Sequence, residues 1–478
     1  MFGYRQLYIA GELRDAADGR RQSVVCPGTE EPVAEVAWAG ATDAEQALEA
    51  AASGFEHWSG LSLNTRTQWL HTLRDAVAEK QELLRDSVMH EMGKPWEATQ
   101  EDFDTVINAL TFYPEEMRRM RGEVLPDADG DFDHQVVYEP LGVAVAVLAW
   151  NFPLLNLGFK VGPALSAGCS LILKPSPKSP LSAYVFGEIC AEVGFPPGVI
   201  NVLCGDDDVV GPALTASRIP ALVTVIGSIR TGAAVMRQGA TSIKRYSMEL
   251  GGNAPVLVFD DADVEHAVET VAALKFGNAG QICVAPNRVF IQRGIAQQFT
   301  RGIVKAAKGV KLGFGRQSAA AMGPLIDEEA RERVRALVHD AVGRGAQLLT
   351  GGHAPDAPQR GYFFLPTVLR GVTPEMRIFR EEIFGPVVSL IDFGDEADAI
   401  RQANDTEAGL ASYVFTSDVG RAQRVSRALR FGEVQVNGFK YGIDLPHGGI
   451  KQSGIGHDCS HLALLEYLDR KRITIARR

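Results

Sequence analysis

A chain of 478 residues is too long for one hydrophobic core and implies two or three domains. Its formal net charge of −11, with no basic cluster beyond Arg470-Lys471-Arg472 and the terminal arginines, argues against a nucleic-acid partner, which would need a positive footprint. Composition is that of an ordinary globular protein at 46% hydrophobic residues, and no run approaches the eighteen apolar residues of a membrane span. Residues 1–14 hold no apolar stretch of the secretory kind. The six cysteines are scattered without a C-x-x-C pair, which predicts reduced thiols and a cytoplasmic location.

In chain order, the first forty residues hold short extended runs, Leu7–Ile9 and Val33–Ala37 among them, and three helices follow. Thr42-Asp43-Ala44-Glu45 has the pattern of a capping box, with an apolar stripe behind it from Ala44 to Trp58. A second helix is predicted from Thr65 to about Met92, stopped by Gly93 and Pro95. A third starts near Glu97, and Pro114 should bend or end it. Residues from Gly122 to Pro140 turn from polar to alternating and read as a hairpin that forms a small exposed sheet with Arg472–Ile475. Such an edge must be covered or paired, and a second subunit would do that.

From Leu141 the texture becomes α/β. The runs Val143–Trp150, Ser170–Leu173, Val199–Leu203, Leu222–Ile226 and Ile243–Met248 read as buried parallel strands, with helices near 181–193, 209–216 and 232–238 between them. That alternation predicts an open, doubly wound sheet that places ligands beyond the carboxyl ends of its strands. A second α/β pattern follows Gly251: strand Val256–Phe259, helix Val264–Phe276, strand Arg288–Ile291 and helix Ala296–Ala307. Gly351–Arg360 reads as a loop.

The reactive residues gather between Arg245 and Arg288. Glu249 precedes Gly251-Gly252, and Cys283 follows Gly277-Asn278-Ala279-Gly280, a run that lets backbone approach a bound group closely. A thiol nucleophile and a carboxylate base on different elements would suit covalent catalysis, with a backbone N–H for an oxyanion. Each residue taken alone also fits a bland role, a buried structural cysteine and a solvated strand-end carboxylate. Asn151, at the end of a strand, has an amide able to donate to an oxyanion or to cap a turn. There is no H-E-x-x-H, P-loop or G-x-S-x-G, so metal hydrolase, nucleotidase and serine hydrolase readings lose their usual support, and no metal site is expected.

M-E-L-G-G-N-A-P around Glu249 and G-Q-I-C at Cys283 resemble the paired signatures of the aldehyde dehydrogenase superfamily. A-W-N-F-P at Ala149–Pro153, L-K-P-S at Leu173–Ser176, E-E-I-F-G-P at Glu381–Pro386 and G-G-I-K-Q-S-G-I-G at Gly448–Gly456 follow in the family's order, so the resemblance covers nearly the whole chain. It implies a Rossmann-like cofactor-binding domain (1–121 and 141–249), an α/β catalytic domain (250–446) and a β oligomerisation arm (122–140 and 457–478) that builds a homodimer or homotetramer. The implied reaction is oxidation of an aldehyde to its acid with NAD or NADP through a cysteine thioester. The catalytic set is Cys283, Glu249, Asn151 and Lys160.

The cofactor residues implied in the same way are Trp150, Lys174, Ser176, Pro177, Lys178, Gly227, Ser228, Gly251, Glu382 and Phe384. Lys174 matches the lysine that holds the adenosine ribose, and Glu382 and Phe384 those at the nicotinamide ribose and ring. No G-x-G-x-x-G follows a predicted strand, and Val225-Ile226-Gly227-Ser228 stands where the family's pyrophosphate turn usually reads Phe-Thr-Gly-Ser. Asp458 stands where the family usually has glutamate. Pro177 occupies the position of a glutamate in many NAD-preferring relatives, with Lys178 beside it, so NADP should serve at least as well as NAD. Two other chemistries remain open: a CoA-acylating dehydrogenase, which has no need of Glu249, and a redox-independent cysteine hydrolase, which needs a histidine where 245–290 offers only His266. A retired structural protein is a third possibility, opposed by the intact Cys283, Glu249 and Asn151. Aldehyde selectivity should lie with Phe152, Leu155, Phe159, Ile282, Val284 and the Phe439–Leu445 loop.

Overall fold

Short runs rich in Val, Ile and Leu, each followed by a helix, must bury both faces of the strand they form. In the computed structural model, which describes residues 2–316, 321–356 and 360–477, they do so in two large sheets. The first has the strand order Gly454–Ile455, Arg245–Leu250, Pro220–Gly227, Val143–Val147, Ser170–Lys174, Ile200–Val202, Leu7–Ile9, Glu12–Arg14. Its interior from Arg245–Leu250 to Ile200–Val202 is parallel, and the outer strands are antiparallel. The two-residue period of a strand sorts the core: Val143 and Val145 enter one helical layer, Ala144 and Ala146 the other.

The second sheet runs Gln347–Thr350, Thr367–Arg370, Val387–Phe393, Pro286–Gln292, Ala254–Val258, Ala411–Phe415, Glu433–Val436. It is parallel except at Gln347–Thr350. The chain returns late to the first sheet, where Gly454 pairs with Glu249 and Ile455 with Met248. That return brings residues of the C-terminal segment against a strand laid down two hundred residues earlier.

Several local expectations are corrected. The strand from Val143 ends at Val147, which leaves residues 148–152, with Trp150 and Asn151, as a loop over the strand ends. The helix expected from Thr65 to Met92 is two, Leu63–Glu79 and Gln81–Met92, because Lys80 leaves helical dihedrals; both segments still feed one core through Leu70, Val77, Leu84 and Val88. Pro114 lies inside the helix Gln100–Met117, which ends just beyond it. The Thr42–Glu45 box does not form. The helix begins at Ala41, and the buried Asp43 carboxylate accepts from Gly40 N at 2.9 Å and Ala17 N at 3.0 Å, so Asp43 is the capping group.

Strand Leu468–Ala476 pairs along its length with Phe132–Pro140, which pairs in turn with Glu123–Leu125. The helix before it, Ser460–Glu466, instead buries Ala463 and Leu464 in the core beside the first sheet. Of the predicted loop Gly351–Arg360, residues 357–359 lie outside the described residues; Gly351 and Gly352 adopt φ of +74° and +87°. No helix among the described residues is long and apolar enough to cross a membrane.

Candidate active site

Parallel strands deliver their carboxyl ends to one side, and here the carboxyl ends of the first sheet face the amino ends of the second across one cavity of about 1580 Å³. Val147, Lys174, Gly227 and Glu249 reach it from the first sheet, and Cys283, Glu382 and Glu433 from the second. The cavity has a thiol end and a second end lined by the predicted cofactor residues.

Cys283 stands in the turn between Gly277–Gly280 and strand Pro286–Gln292, closed by Ala285 N donating to Ile282 O at 3.0 Å. It is half-buried, whereas the other five cysteines are buried. Asn278 and Ala279 adopt left-handed dihedrals, and Gly280 follows at φ +71°. The close approach at this glycine is to protein: a Cβ on Gly280 would lie 2.3 Å from the Gly385 carbonyl. The turn thereby packs tightly on the 381–386 loop. A Cβ on Gly252 would sit 2.6 Å from the Cys283 carbonyl, which is why the Gly251-Gly252 pair lies beneath the thiol turn.

Asn151 is buried and donates one amide hydrogen to Gln281 O at 3.0 Å, two residues before the thiol. Its backbone carbonyl accepts from Asn278 Nδ2 at 3.0 Å, so loop and turn hold each other. An amide carries two donors, and the second remains for a ligand. Glu249 is buried at 4% exposure, and neither carboxylate oxygen has a hydrogen-bond partner among the described residues. Burial holds its pKa well above the ordinary carboxylate range, against the opposing pull of His447. A carboxylate stranded without donors in a cavity wall is unusual, since buried polar atoms are normally bonded.

Lys160 does not reach the cavity wall. It is fully buried and gives its ammonium to both oxygens of Asp458, at 2.6 and 2.7 Å, and Asp458 is the member of the pair that lines the cavity. His447 was not anticipated. Its Nδ1 lies 2.6 Å from Glu433 Oε1, its Nε2 lies 3.8 Å from Glu249 Oε2, and it lines the same cavity as Cys283, whose thiol is among the groups that raise the histidine's pKa. The distance along the chain from Cys283 hid it, and the local signal was only a histidine beside the Gly448-Gly449 pair. His266, the one histidine weighed from the sequence, bonds the Asn437 carbonyl at 3.0 Å and is not in the cavity wall.

At the other end, Trp150, Lys174, Ser176, Pro177, Lys178, Gly227, Ser228, Gly251, Glu382 and Phe384 all line the cavity. Ser228 caps the helix Ile229–Gly239, its Oγ accepting from Thr231 N at 3.1 Å, so free N–H groups of that helix face the cavity. Lys174 is buried and paired with Asp207; Lys178 is paired with Asp327 Oδ2 at 2.5 Å. Glu382 accepts from Gly252 N at 3.0 Å, and burial pushes its pKa up to about 7. Phe384 adopts φ +46° and packs edge-on to Trp150 at 5.3 Å. A helix N-terminus, a buried lysine and a buried glutamate spaced along one cleft fit the phosphate and ribose groups of a dinucleotide. Among the predicted selectivity residues, Phe152, Leu155, Phe159, Ile282 and Val284 line the thiol end, as do Lys440–Ile443 and Leu445; Phe439 points to solvent instead.

Comparison with known proteins agrees with this geometry. Residues 14–473 match the model of the aldehyde dehydrogenase family. A mitochondrial succinate-semialdehyde dehydrogenase of Oryza sativa subsp. japonica is 39% identical over 466 residues, covering 97% of this chain and 88% of the relative. The crystal structure of an Escherichia coli NADP-dependent enzyme superposes with a TM-score of 0.97 at 37% identity, over 100% of this chain and 99% of that one. A Staphylococcus aureus betaine aldehyde dehydrogenase in complex with NAD+ superposes with a TM-score of 0.96 at 36% identity, over 99% and 95%. With the motifs in order, the two-sheet fold and a family match across the chain, this protein belongs to the aldehyde dehydrogenase family.

Proposed function

We propose that the chain oxidises an aldehyde to its carboxylic acid with NAD(P)+, using Cys283 as nucleophile. The observation that carries this reading is the meeting of Cys283, Asn151 and Glu249 at one end of a cavity whose other end fits a dinucleotide. Cys283 as thiolate attacks the aldehyde carbon, and the free amide hydrogen of Asn151 with the Cys283 N–H takes up the charge on oxygen. A bound nicotinamide dinucleotide supplies the acceptor for the hydride whose loss turns the Cys283 adduct into a thioester. Glu249, unpartnered and facing the thiol end, removes a proton from the water that cleaves the thioester. The buried Lys160–Asp458 pair supports the wall behind Glu249. Glu249 favours water over CoA as the resolving nucleophile.

The test is Cys283→Ala. We expect NAD(P)+ reduction to disappear while dinucleotide binding, followed by tryptophan fluorescence, survives; continued turnover would refute the mechanism. Assay against aldehydes of different tail charge should accompany it. The relatives named above act on tails of opposite sign, and the acids Glu101 and Asp104 line this cavity beside Phe159, with Lys440 among the loop residues.

We further infer that NADP serves at least as well as NAD. Pro177 places no carboxylate at that position, and the Lys178–Asp327 pair, with side chains 40% and 30% exposed, is weak enough for a phosphate to compete for the lysine. We also infer a homodimer or homotetramer built on the arm. The strand Leu468–Ala476 is an exposed edge with Ile473 and Ile475 half-open to water, and such edges are normally covered. Light scattering that returns a monomer would refute the assembly. Six unpaired thiols suit a reducing compartment, hence the cytoplasm.

A further inference from the structure

The thiol has two candidate bases within the same wall, and the proposed reaction employs only Glu249. His447 stands in the segment between Pro446 and Gly448, its backbone clamped to Asp458 by reciprocal bonds of 2.9 and 2.7 Å. Its side chain is 13% exposed and that of Glu433 10%. Glu433 opens the strand Glu433–Val436, which lies beside Ala411–Phe415 at the edge of the second sheet. At 2.6 Å the Nδ1 hydrogen belongs to the bond with Glu433, which leaves Nε2 for the thiol. Glu249 Oε2, at 3.8 Å from Nε2, is beyond hydrogen-bond range. Tyr441 meets the ring edge-on at 6.0 Å, and Phe159 packs at 6.3 Å. The titratable groups around the imidazole are Cys283, Glu249, Glu433, Tyr441, Asp458 and Cys459, with Lys160 behind Asp458.

We propose that His447 is the base that takes the Cys283 thiol proton and that Glu433 positions it, so that thiol activation and water activation belong to different groups. The S–H bond breaks and its proton passes to His447 Nε2, giving an imidazolium held between the carboxylates of Glu433 and Glu249. The sulfur pair forms the S–C bond to the aldehyde, and the carbonyl pair becomes the oxyanion. When the thioester is cleaved, the proton returns from Nε2 to the departing sulfur. Burial lowers the basicity of His447 as the largest single effect, but the thiol, the Glu433 bond and the Glu249 charge together carry it well above the ordinary histidine value. The wall therefore stabilises the imidazolium formed when the thiol proton moves to His447.

The inference rests on Cys283 being the nucleophile, which the Cys283→Ala turnover assay tests separately. Its own test needs no turnover: alkylation of Cys283 by iodoacetamide in the intact chain, read by mass spectrometry between about pH 5 and 9. The other five cysteines are buried, so the label reports this thiol. We expect His447→Gln to slow labelling at the acid end by about a hundred-fold, with recovery as pH rises, and Glu433→Gln, which keeps the imidazole, to slow it about ten-fold. Glu249→Gln, which removes a nearby charge but no hydrogen bond to the imidazole, should change labelling less than Glu433→Gln does. Dinucleotide binding by each variant shows that it is folded. Unchanged profiles in folded His447→Gln and Glu433→Gln would overturn the proposal, as would a shift found only in Glu249→Gln. Should His447→Gln not fold, Glu433→Gln alone decides by the same criterion.

Discussion

The two ends of the cavity use the same kinds of charged groups under different conditions. At the cofactor end, Lys178 and Asp327 are 40% and 30% exposed, and the partner of Lys174, Asp207, is 72% exposed. At the thiol end, Lys160 and Asp458 are 0% and 4% exposed. Water screens the Lys178–Asp327 pair, so it is worth about 0–1 kcal/mol and can be exchanged for ligand contacts, and the exposed Asp207 leaves one side of the Lys174 pair open to water. The second group has lost its hydration, and removal of one partner strands the other. One end can be retuned by single substitutions; at the other, among the described residues, both oxygens of the buried Glu249 lack a bonded partner.

The largest effect should come from that open member. Glu249→Gln should lower steady-state turnover by about 10²–10⁴-fold while leaving a stoichiometric burst of reduced cofactor, because the thiol keeps His447. A lost burst would move Glu249 to the earlier step; an unchanged rate would remove it from the mechanism. The pH dependence follows in sign. Burial raises the pKa of Glu249, so the basic form grows only as pH climbs above the ordinary carboxylate range, and turnover should rise with it. That limb should vanish in Glu249→Gln.

Next is the buried pair. Asp458→Asn should cost about 3–5 kcal/mol of stability by leaving the Lys160 ammonium buried without its counter-charge. Urea unfolding would measure this, and Lys160→Met combined with Asp458→Leu should recover part of the loss. If Asp458→Asn costs no more than a surface pair, the contrast between the two ends fails.

The smallest effects belong to the cofactor end. Pro177→Glu should lower kcat/KM with NADP more than with NAD, by about ten-fold or less, since a carboxylate there repels the extra phosphate through partly screened charge. Asp327→Ala, which frees Lys178, should shift the same ratio a few-fold toward NADP. A strong wild-type preference for NAD that neither substitution moves would show that Pro177 and Lys178 are not read by the phosphate.

Much of the molecule was legible in the sequence because it is encoded locally. Strand-helix alternation announced the parallel sheets, and the helix Val264–Phe276 and strand Leu7–Ile9 appear with the bounds their periodicity implies. The contiguous motifs carrying Glu249 and Cys283 marked the reactive residues for the same reason: each is a turn whose chemistry and conformation lie within a few neighbours. Tertiary structure decided what depends on residues far apart. It set the Asp43 carboxylate, not the Thr42 hydroxyl, on the backbone of the N-cap residue Gly40, where it also accepts from the distant Ala17 N. It buried Glu249, whose environment depends on Gly454 pairing beside it. It brought His447 from the last part of the chain, and Glu433 behind it from the edge of the other sheet, into the cavity that Cys283 lines. No window of sequence contains those three residues, and only the return of the chain between the two sheets joins them.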